Sequence, residues 1–224
     1  MRPKLLVITP VKHIGGVAEK LEAVFDVSYF NDPFFDDIAP SLSEFDAIFT
    51  NPNKSKIYLG QELIEYASNL KIICTASTGT NHIDLPYATQ SGIAVISIKE
   101  EREIIEKISS TAEHAFALTL GSLRNLIPSH RDVLKGSWNY EEFVGRQLDG
   151  LTIGVVGYGR LGLMYANYCL AFGSRVLVFD PYVVVGNDQI VQMRRIEELL
   201  PRADVIAFHV HLDSDTQGMV NQMW

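Results

Sequence analysis

Three glycines, spaced G-x-G-x-x-G in the stretch GVVGYGRLG, are typical of a turn that binds a phosphate. They are Gly157, Gly159 and Gly162. The first would permit a tight turn, the second would admit a phosphate close to the backbone, and the third would let a helix pack against a strand. We therefore predict a dinucleotide pyrophosphate site, with the amides of Arg160 and Leu161 at a helix N-terminus. The alternative is a glycine turn without a ligand.

An aspartate strengthens this prediction. Asp180 ends the next apolar run, 18 residues after Gly162, close to the spacing at which an acidic residue binds the adenosine ribose. Its carboxylate can accept hydrogen bonds from both ribose hydroxyls, and its charge repels a 2′-phosphate. The pattern therefore favours NAD over NADP, whereas the plainer alternative is a capping aspartate.

A second candidate for chemistry is the pair His209 and His211, in the stretch HVH. Two histidines two residues apart can bind a metal ion, but no third ligand is apparent nearby. We therefore predict no metal site.

The elements that must position these residues follow a repeated pattern of short apolar runs and helical segments. Predicted strands occupy residues 5–9, 27–30, 46–50, 71–75 and 93–98, and after a gap 152–156, 175–179 and 205–209. Such βαβ alternation predicts an α/β fold with parallel sheets. We expect a flavodoxin-like domain at residues 1–100 and an incomplete, doubly wound Rossmann-type domain at residues 101–224. Between the two series we predict a helix with a capping box at Ser110 and Glu113, ended by Pro128.

Composition excludes several classes of partner. The 224 residues include 19 basic and 27 acidic side chains, a net charge of −8, without a run of lysine or arginine. This argues against nucleic acid and against an anionic membrane surface. The N-terminal apolar run is too short for a signal segment. Two cysteines in apolar surroundings, Cys74 and Cys169, fit a reducing compartment, so we expect a cytoplasmic protein.

Motif after motif from about residue 45 resembles the D-isomer-specific 2-hydroxyacid dehydrogenase family, and TGTNHIDL is similar to its phosphoglycerate dehydrogenase branch. The motifs are TGTNHIDL (78–85), TAEH (111–114), GSW (136–138), GLTIGVVGYGRLG (150–162), VFDPY (178–182), LLPRADVIAFHVHL (199–212) and DTQGMVN (215–221). The resemblance implies that residues 1–100 form the substrate domain and residues 101–224 the first half of the NAD-binding domain. It implies hydride transfer between NAD and a 2-hydroxy or 2-oxo acid, with 3-phosphoglycerate as one candidate, in the cleft between domains.

The resemblance also implies roles for single residues. The cofactor would be bound by Gly157, Gly159, Arg160, Leu161, Gly162, Asp180, Pro181, Val210, His211, Thr216 and Thr111. The substrate carboxylate would be bound by the backbone of Thr78, Gly79 and Thr80, which follow a predicted strand at the edge where α/β sheets bind ligands. Gly79 would let amides point at an anion, although an ordinary turn is the alternative. A homodimer would form through the helix Thr111–Arg124 and the arm Gly136–Trp138.

Some family features differ or are not found. His211 stands where the family usually has proline, the linker at residues 99–110 is longer, and residues 51–56 lack an expected arginine, for which Lys54 or Lys56 could substitute. No catalytic residue is assigned, because the family's arginine, glutamate and histidine are expected beyond Trp224. We therefore expect a C-terminally truncated member. The alternative functions are a catalytically incompetent NAD-binding or dimerisation module, and an NAD-sensing corepressor of the same fold.

Overall fold

The computed structural model describes residues 2–52 and 56–221. The chain forms two compact units, residues 1–105 and 106–224. Each unit contains one parallel sheet with its own apolar core. No helix within the described residues is long and apolar enough to cross a membrane.

The first unit alternates strands and helices along its whole length. Its elements are β1 (Lys4–Val7), α1 (Val17–Val24), β2 (Asp26–Tyr29), α2 (Phe35–Ile38), β3 (Ala47–Thr50), α3 (Gln61–Tyr66), β4 (Ile72–Thr75), α4 (Leu85–Gln90), β5 (Ala94–Ser97) and α5 (Arg102–Ile105). The strand order is β2-β1-β3-β4-β5 and every pairing is parallel. This is the flavodoxin-like order, as predicted.

Both faces of this sheet are covered, which is why its central strands are continuous apolar runs. Leu6, Ile48 and Ile73 point into one core cluster and are fully buried. Leu5 and Val7 point into a second cluster on the opposite face. The alternation within β1 follows from the two-residue period of a strand. Burial on both faces holds the carboxyl ends of the strands, and the loops that follow them, in fixed positions.

The second unit begins with two helices and continues with a four-stranded sheet. Its elements are α6 (Ser110–Leu123), α7 (Leu126–Leu134), β6 (Thr152–Val156), α8 (Arg160–Ala171), β7 (Arg175–Phe179), β8 (Ile190–Gln192), α9 (Ile196–Leu199) and β9 (Val205–Phe208). The strand order is β8-β7-β6-β9, all parallel. The chain reverses its direction of travel across the sheet between β6 and β9, so the topological switch point lies between their carboxyl ends. The predicted doubly wound α/β class is confirmed.

Three local predictions are wrong. The second sheet has four strands, since the short strand β8 was not predicted. Pro128 does not end a helix, because α6 already ends at Leu123 and Pro128 lies in the first turn of α7, where its missing N–H has no helical partner to lose. The N-cap of α6 is Ser109 rather than Ser110, and its hydroxyl donates to the Glu113 carboxylate.

Candidate nucleotide and substrate sites

The glycine turn between β6 and α8 lies at the switch point. Gly157 has a φ of +90°, which favours glycine, and a Cβ there would lie 2.8 Å from the carbonyl oxygen of His209 and 2.9 Å from Val210 Cγ1. Its amide donates to the carbonyl of Phe179 at the end of β7 (2.9 Å). At Gly162 a Cβ would overlap with the carbonyl oxygen of Gly157. Both glycines are therefore required by close packing of the turn, as predicted.

Gly159 differs from the other two glycines of the motif. It is the N-cap of α8, with extended backbone angles (φ −72°, ψ −164°) and without a side-chain cap. A Cβ at this position would meet no atom within 4 Å. The space in front of the helix N-terminus is therefore open, and the first amides of a 12-residue helix face it. An N-terminus of this kind favours an anion through its N–H groups and its dipole, so this geometry fits a pyrophosphate.

Asp180 connects the glycine turn to the end of β7. Its Oδ2 accepts from the amide of Tyr158 (2.7 Å), and its Oδ1 accepts from the amides of Tyr182 and Val183 (2.8 and 3.0 Å). A carboxylate has about four acceptor positions, so about one remains, on Oδ2. The arrangement therefore leaves room for one ribose hydroxyl rather than the two expected from the sequence. Sequence reasoning missed the Tyr158 bond, which depends on the direction of a single peptide in the folded turn.

Arg160 uses its side chain and its backbone differently. Its guanidinium donates to the carbonyl of Ile108, just before α6, while its amide belongs to the first turn of α8. This bond ties the start of α6, where Thr111 is exposed, to the glycine turn. The predicted contact of Arg160 with the pyrophosphate is therefore left to its backbone.

The segment after β9 forms a compact loop. The single proton of the Thr216 hydroxyl is shared between the carbonyl of His211 and Asp213 Oδ1, and Asp213 Oδ1 also accepts the amides of Asp215 and Thr216. These bonds, led by the Thr216 hydroxyl, lower the pKa of Asp213. Val210 packs on the glycine turn, whereas His211 is exposed. Thr216, itself a predicted cofactor contact, thus shapes the loop that carries the other two, Val210 and His211.

The two neighbouring histidines have different surroundings. The His209 ring lies 5.0 Å from the Tyr165 ring, and its Nε2 is buried without a hydrogen-bond partner. Burial lowers the pKa of His209, so the ring is neutral at pH 7. His211 is exposed and does not share this environment. Within the described ranges, no group of three His, Cys, Asp or Glu side chains could hold a metal ion.

In the first unit, the loop of Thr78, Gly79 and Thr80 follows β4. The Ser77 hydroxyl donates to the carbonyl of Gly79 (2.7 Å), and the amide of Ile83 donates to the carbonyl of Thr80 (2.9 Å). Gly79 lies outside the left-handed region, and a Cβ there would come no closer than 3.7 Å to a neighbouring atom. The backbone therefore does not require glycine at position 79, contrary to the reason given from the sequence. The loop nevertheless lies at the carboxyl edge of the sheet, where such folds bind ligands.

Comparison with known proteins also indicates an NAD-binding domain. Residues 116–223 match the family model of the D-isomer specific 2-hydroxyacid dehydrogenase, NAD binding domain. D-3-phosphoglycerate dehydrogenase of Archaeoglobus fulgidus is 36% identical over 75% of this chain and 32% of its own length. The Bacillus subtilis protein of the same name is 34% identical over 83% of this chain and 34% of its own length. The chain thus spans about a third of the length of these curated relatives.

Experimental structures show the same likeness. D-lactate dehydrogenase from Aquifex aeolicus, complexed with NAD and lactic acid, aligns with a TM-score of 0.77 and 30% identity over 95% of this chain and 62% of that chain. NAD-dependent formate dehydrogenase from Staphylococcus aureus, in complex with NAD, aligns with a TM-score of 0.81 and 26% identity over 95% of this chain and 66% of that one. The predicted cofactor, NAD, is confirmed by the matched domain. Residues 116–223 therefore belong to the NAD-binding domain of the D-isomer specific 2-hydroxyacid dehydrogenase family.

Proposed function

We propose that this chain belongs to an NAD-dependent oxidoreductase that transfers a hydride between NAD and a 2-hydroxy or 2-oxo acid. Residues 106–224 bind the cofactor and residues 1–105 bind the substrate. The observation that carries the proposal is the turn at the switch point, where Gly159 leaves the α8 N-terminus open and Asp180 is fixed beside it. Membership of the family supplies the reaction type.

Each predicted cofactor contact has a distinct task in this proposal. The amides of Arg160 and Leu161 bind the pyrophosphate, and Asp180 with Pro181 binds the adenosine ribose. The adenine side is lined by Val210, His211 and Thr216. Thr111 contacts the nicotinamide end. NAD supplies the hydride acceptor when bound, and these residues orient it.

The substrate binds through its carboxylate to the backbone of residues 78–80. Oriented amides bind a carboxylate without a counter-charge, as do helix N-termini. We assign no catalytic arginine, glutamate or histidine within residues 1–224.

The choice of 2-hydroxy acid depends on the loop after β3. Lys56 Nζ lies 3.5 Å from Asp32 Oδ2 and 4.6 Å from the centre of the Phe34 ring. Phe34 and Lys56 line a cavity of about 520 Å³ within the first unit. A phosphate on the substrate would have to compete with Asp32 for this lysine. Lys54, the other candidate, lies outside the described residues. Two relatives named D-3-phosphoglycerate dehydrogenase make 3-phosphoglycerate the first substrate to test.

The test is an activity assay of the 224-residue chain with NAD and a panel of 3-phosphoglycerate, D-lactate and D-glycerate, read as NADH absorbance. A parallel calorimetric titration measures NAD binding. Turnover supports the proposed reaction and identifies the substrate. NAD binding without turnover favours the alternative, an NAD-binding module that does not react. Absence of NAD binding at millimolar concentration contradicts the cofactor role of the glycine turn.

We also propose that the chain forms a homodimer through α6, α7 and the arm at residues 136–138. Large apolar side chains are exposed on these elements. They are Leu118, Leu126, Ile127, Val133, Leu134 and Trp138. Trp138 is 90% exposed, which is unusual for a side chain of this size unless it meets a partner. A second copy of the chain is the occupant that the family resemblance implies.

Light scattering at micromolar concentration tests the dimer. We expect a dimer mass for the wild type and a shift to monomer for Trp138→Ser. The control is Val24→Ser, which removes an exposed apolar side chain in the first unit and leaves the mass unchanged. A monomeric wild type contradicts the proposal.

A further inference from the structure

A chain of hydrogen bonds runs beneath the loop that we assign to the substrate carboxylate. His82 Nε2 lies 3.1 Å from Thr75 Oγ1, Thr75 Oγ1 lies 2.7 Å from Ser77 Oγ, and Ser77 Oγ lies 2.7 Å from the Gly79 carbonyl oxygen. His82 and Thr75 are buried, with exposed fractions of 9% and 3%. This set of three side chains, His82–Thr75–Ser77, is called the relay below.

The protons that each group can donate fix the direction of the hydrogen bonds in the relay. The Gly79 carbonyl can only accept, so the Ser77 hydroxyl donates to it. The Ser77 oxygen must then accept from the Thr75 hydroxyl, and Thr75 must in turn accept from His82. His82 therefore carries its proton on Nε2. The other ring nitrogen, Nδ1, is buried without a hydrogen-bond partner, and burial lowers the pKa of His82, so the ring is neutral.

The relay ends on the peptide that joins Gly79 and Thr80. In a planar trans peptide the C=O and the N–H point in opposite directions, and none of the described peptides is cis. With the Gly79 carbonyl held towards Ser77, the N–H of Thr80 points away from Ser77. A donor on the carbonyl oxygen also polarises the amide, which makes its N–H a stronger donor.

We propose that His82 is a positioning residue, which acts through Thr75 and Ser77 to orient and polarise the Gly79–Thr80 peptide so that the Thr80 N–H binds the substrate carboxylate. This inference rests on the proposed function, since it assigns that carboxylate to residues 78–80. The relay explains two buried polar side chains that neither the core nor the cofactor site requires. It also explains why Gly79 is held in place without an unusual φ.

Matched variants separate the relay from simple packing. His82→Met removes the donor, while His82→Gln keeps a donor of similar reach. Ser77→Ala removes the hydroxyl, while Ser77→Thr keeps it. We expect His82→Met and Ser77→Ala to weaken binding of pyruvate in the presence of NAD about tenfold, the effect of one hydrogen bond. His82→Gln and Ser77→Thr should restore most of the affinity. In an active preparation, the same variants should raise KM more than they lower kcat.

Two measurements by nuclear magnetic resonance make the outcome decisive. The first is the tautomer of His82 in the ligand-free chain, for which we expect the proton on Nε2. A proton on Nδ1 overturns the relay whatever the substrate is. The second is the amide proton shift of Thr80, which should move upfield in Ser77→Ala and remain in Ser77→Thr. Equal pyruvate affinity in all variants overturns the inference but leaves the proposed function intact. A wild type that binds no 2-oxo acid overturns both.

Discussion

Substitution of Gly159 by alanine separates folding from cofactor binding. The backbone angles of Gly159 (φ −72°, ψ −164°) are allowed for alanine, and the added Cβ would meet no atom within 4 Å. At a compatible position, a change from glycine to alanine reduces the entropy of the unfolded chain and stabilises a protein by about 0.4–1 kcal/mol. We therefore expect Gly159→Ala to fold at least as stably as the wild type.

The same methyl group should strongly weaken NAD binding. It would occupy the open space in front of α8, through which a pyrophosphate approaches the amides of Arg160 and Leu161. A hydrogen bond to a charged group contributes about 1.5–3 kcal/mol. Loss of two such bonds corresponds to at least about 3 kcal/mol, or a Kd weaker by about 150-fold.

Calorimetric titration with NAD and urea unfolding measure the two effects on one preparation. The matched control is Gly15→Ala in the first unit, where a Cβ also meets no atom within 4 Å. The control should likewise be at least as stable as the wild type, and it should keep the wild-type NAD affinity. NAD binding by Gly159→Ala with the wild-type Kd would refute the assignment of the pyrophosphate to this turn.

Three further outcomes are expected. Gly157→Ala should lower the free energy of unfolding by about 2–4 kcal/mol in urea titrations, because of its φ of +90° and its contact with the His209 backbone; wild-type stability would contradict this packing. Burial lowers the pKa of His82 and His209, so the unfolded state binds more protons below about pH 6.5 and stability should fall between about pH 7 and 5. His209→Phe should reduce this loss of stability at low pH. An unchanged slope of the free energy of unfolding against pH would contradict the prediction. Asp180→Asn should narrow the preference for NAD over NADP by about tenfold, or roughly 1.4 kcal/mol, in competition titrations.

The fold and the cofactor turn could be predicted from the sequence because their signals are local. Apolar runs of strand length between helical segments indicate the parallel sheets, and three glycines followed by Asp180 indicate the turn. The strand β8 was missed, since three residues give too short a pattern to distinguish from a loop. The start of α6 was misplaced by one residue because two adjacent serines, Ser109 and Ser110, are both suitable N-caps.

The remaining features depend on contacts that only the folded chain creates. The three amides on Asp180, which reduce its free acceptor positions to about one, come from peptides whose direction is set by the turn. The role of His82 depends on its approach to Thr75 across a loop. From the sequence, His82 could only be interpreted as a capping, packing or surface residue. The local sequence pattern thus predicts the helices and strands, whereas the direction of each hydrogen bond can be determined only from the structure.

We propose that the amides at the N-terminus of α8 bind the pyrophosphate of NAD. The most direct measurement is a titration of the ¹⁵N-labelled chain with NAD, followed by the amide resonances of Gly159, Arg160 and Leu161. We predict that these resonances shift together and saturate with a single Kd, and that the Gly159→Ala variant does not show this response. Saturable binding of NAD that leaves these amide resonances unchanged would show that the pyrophosphate does not bind at the N-terminus of α8.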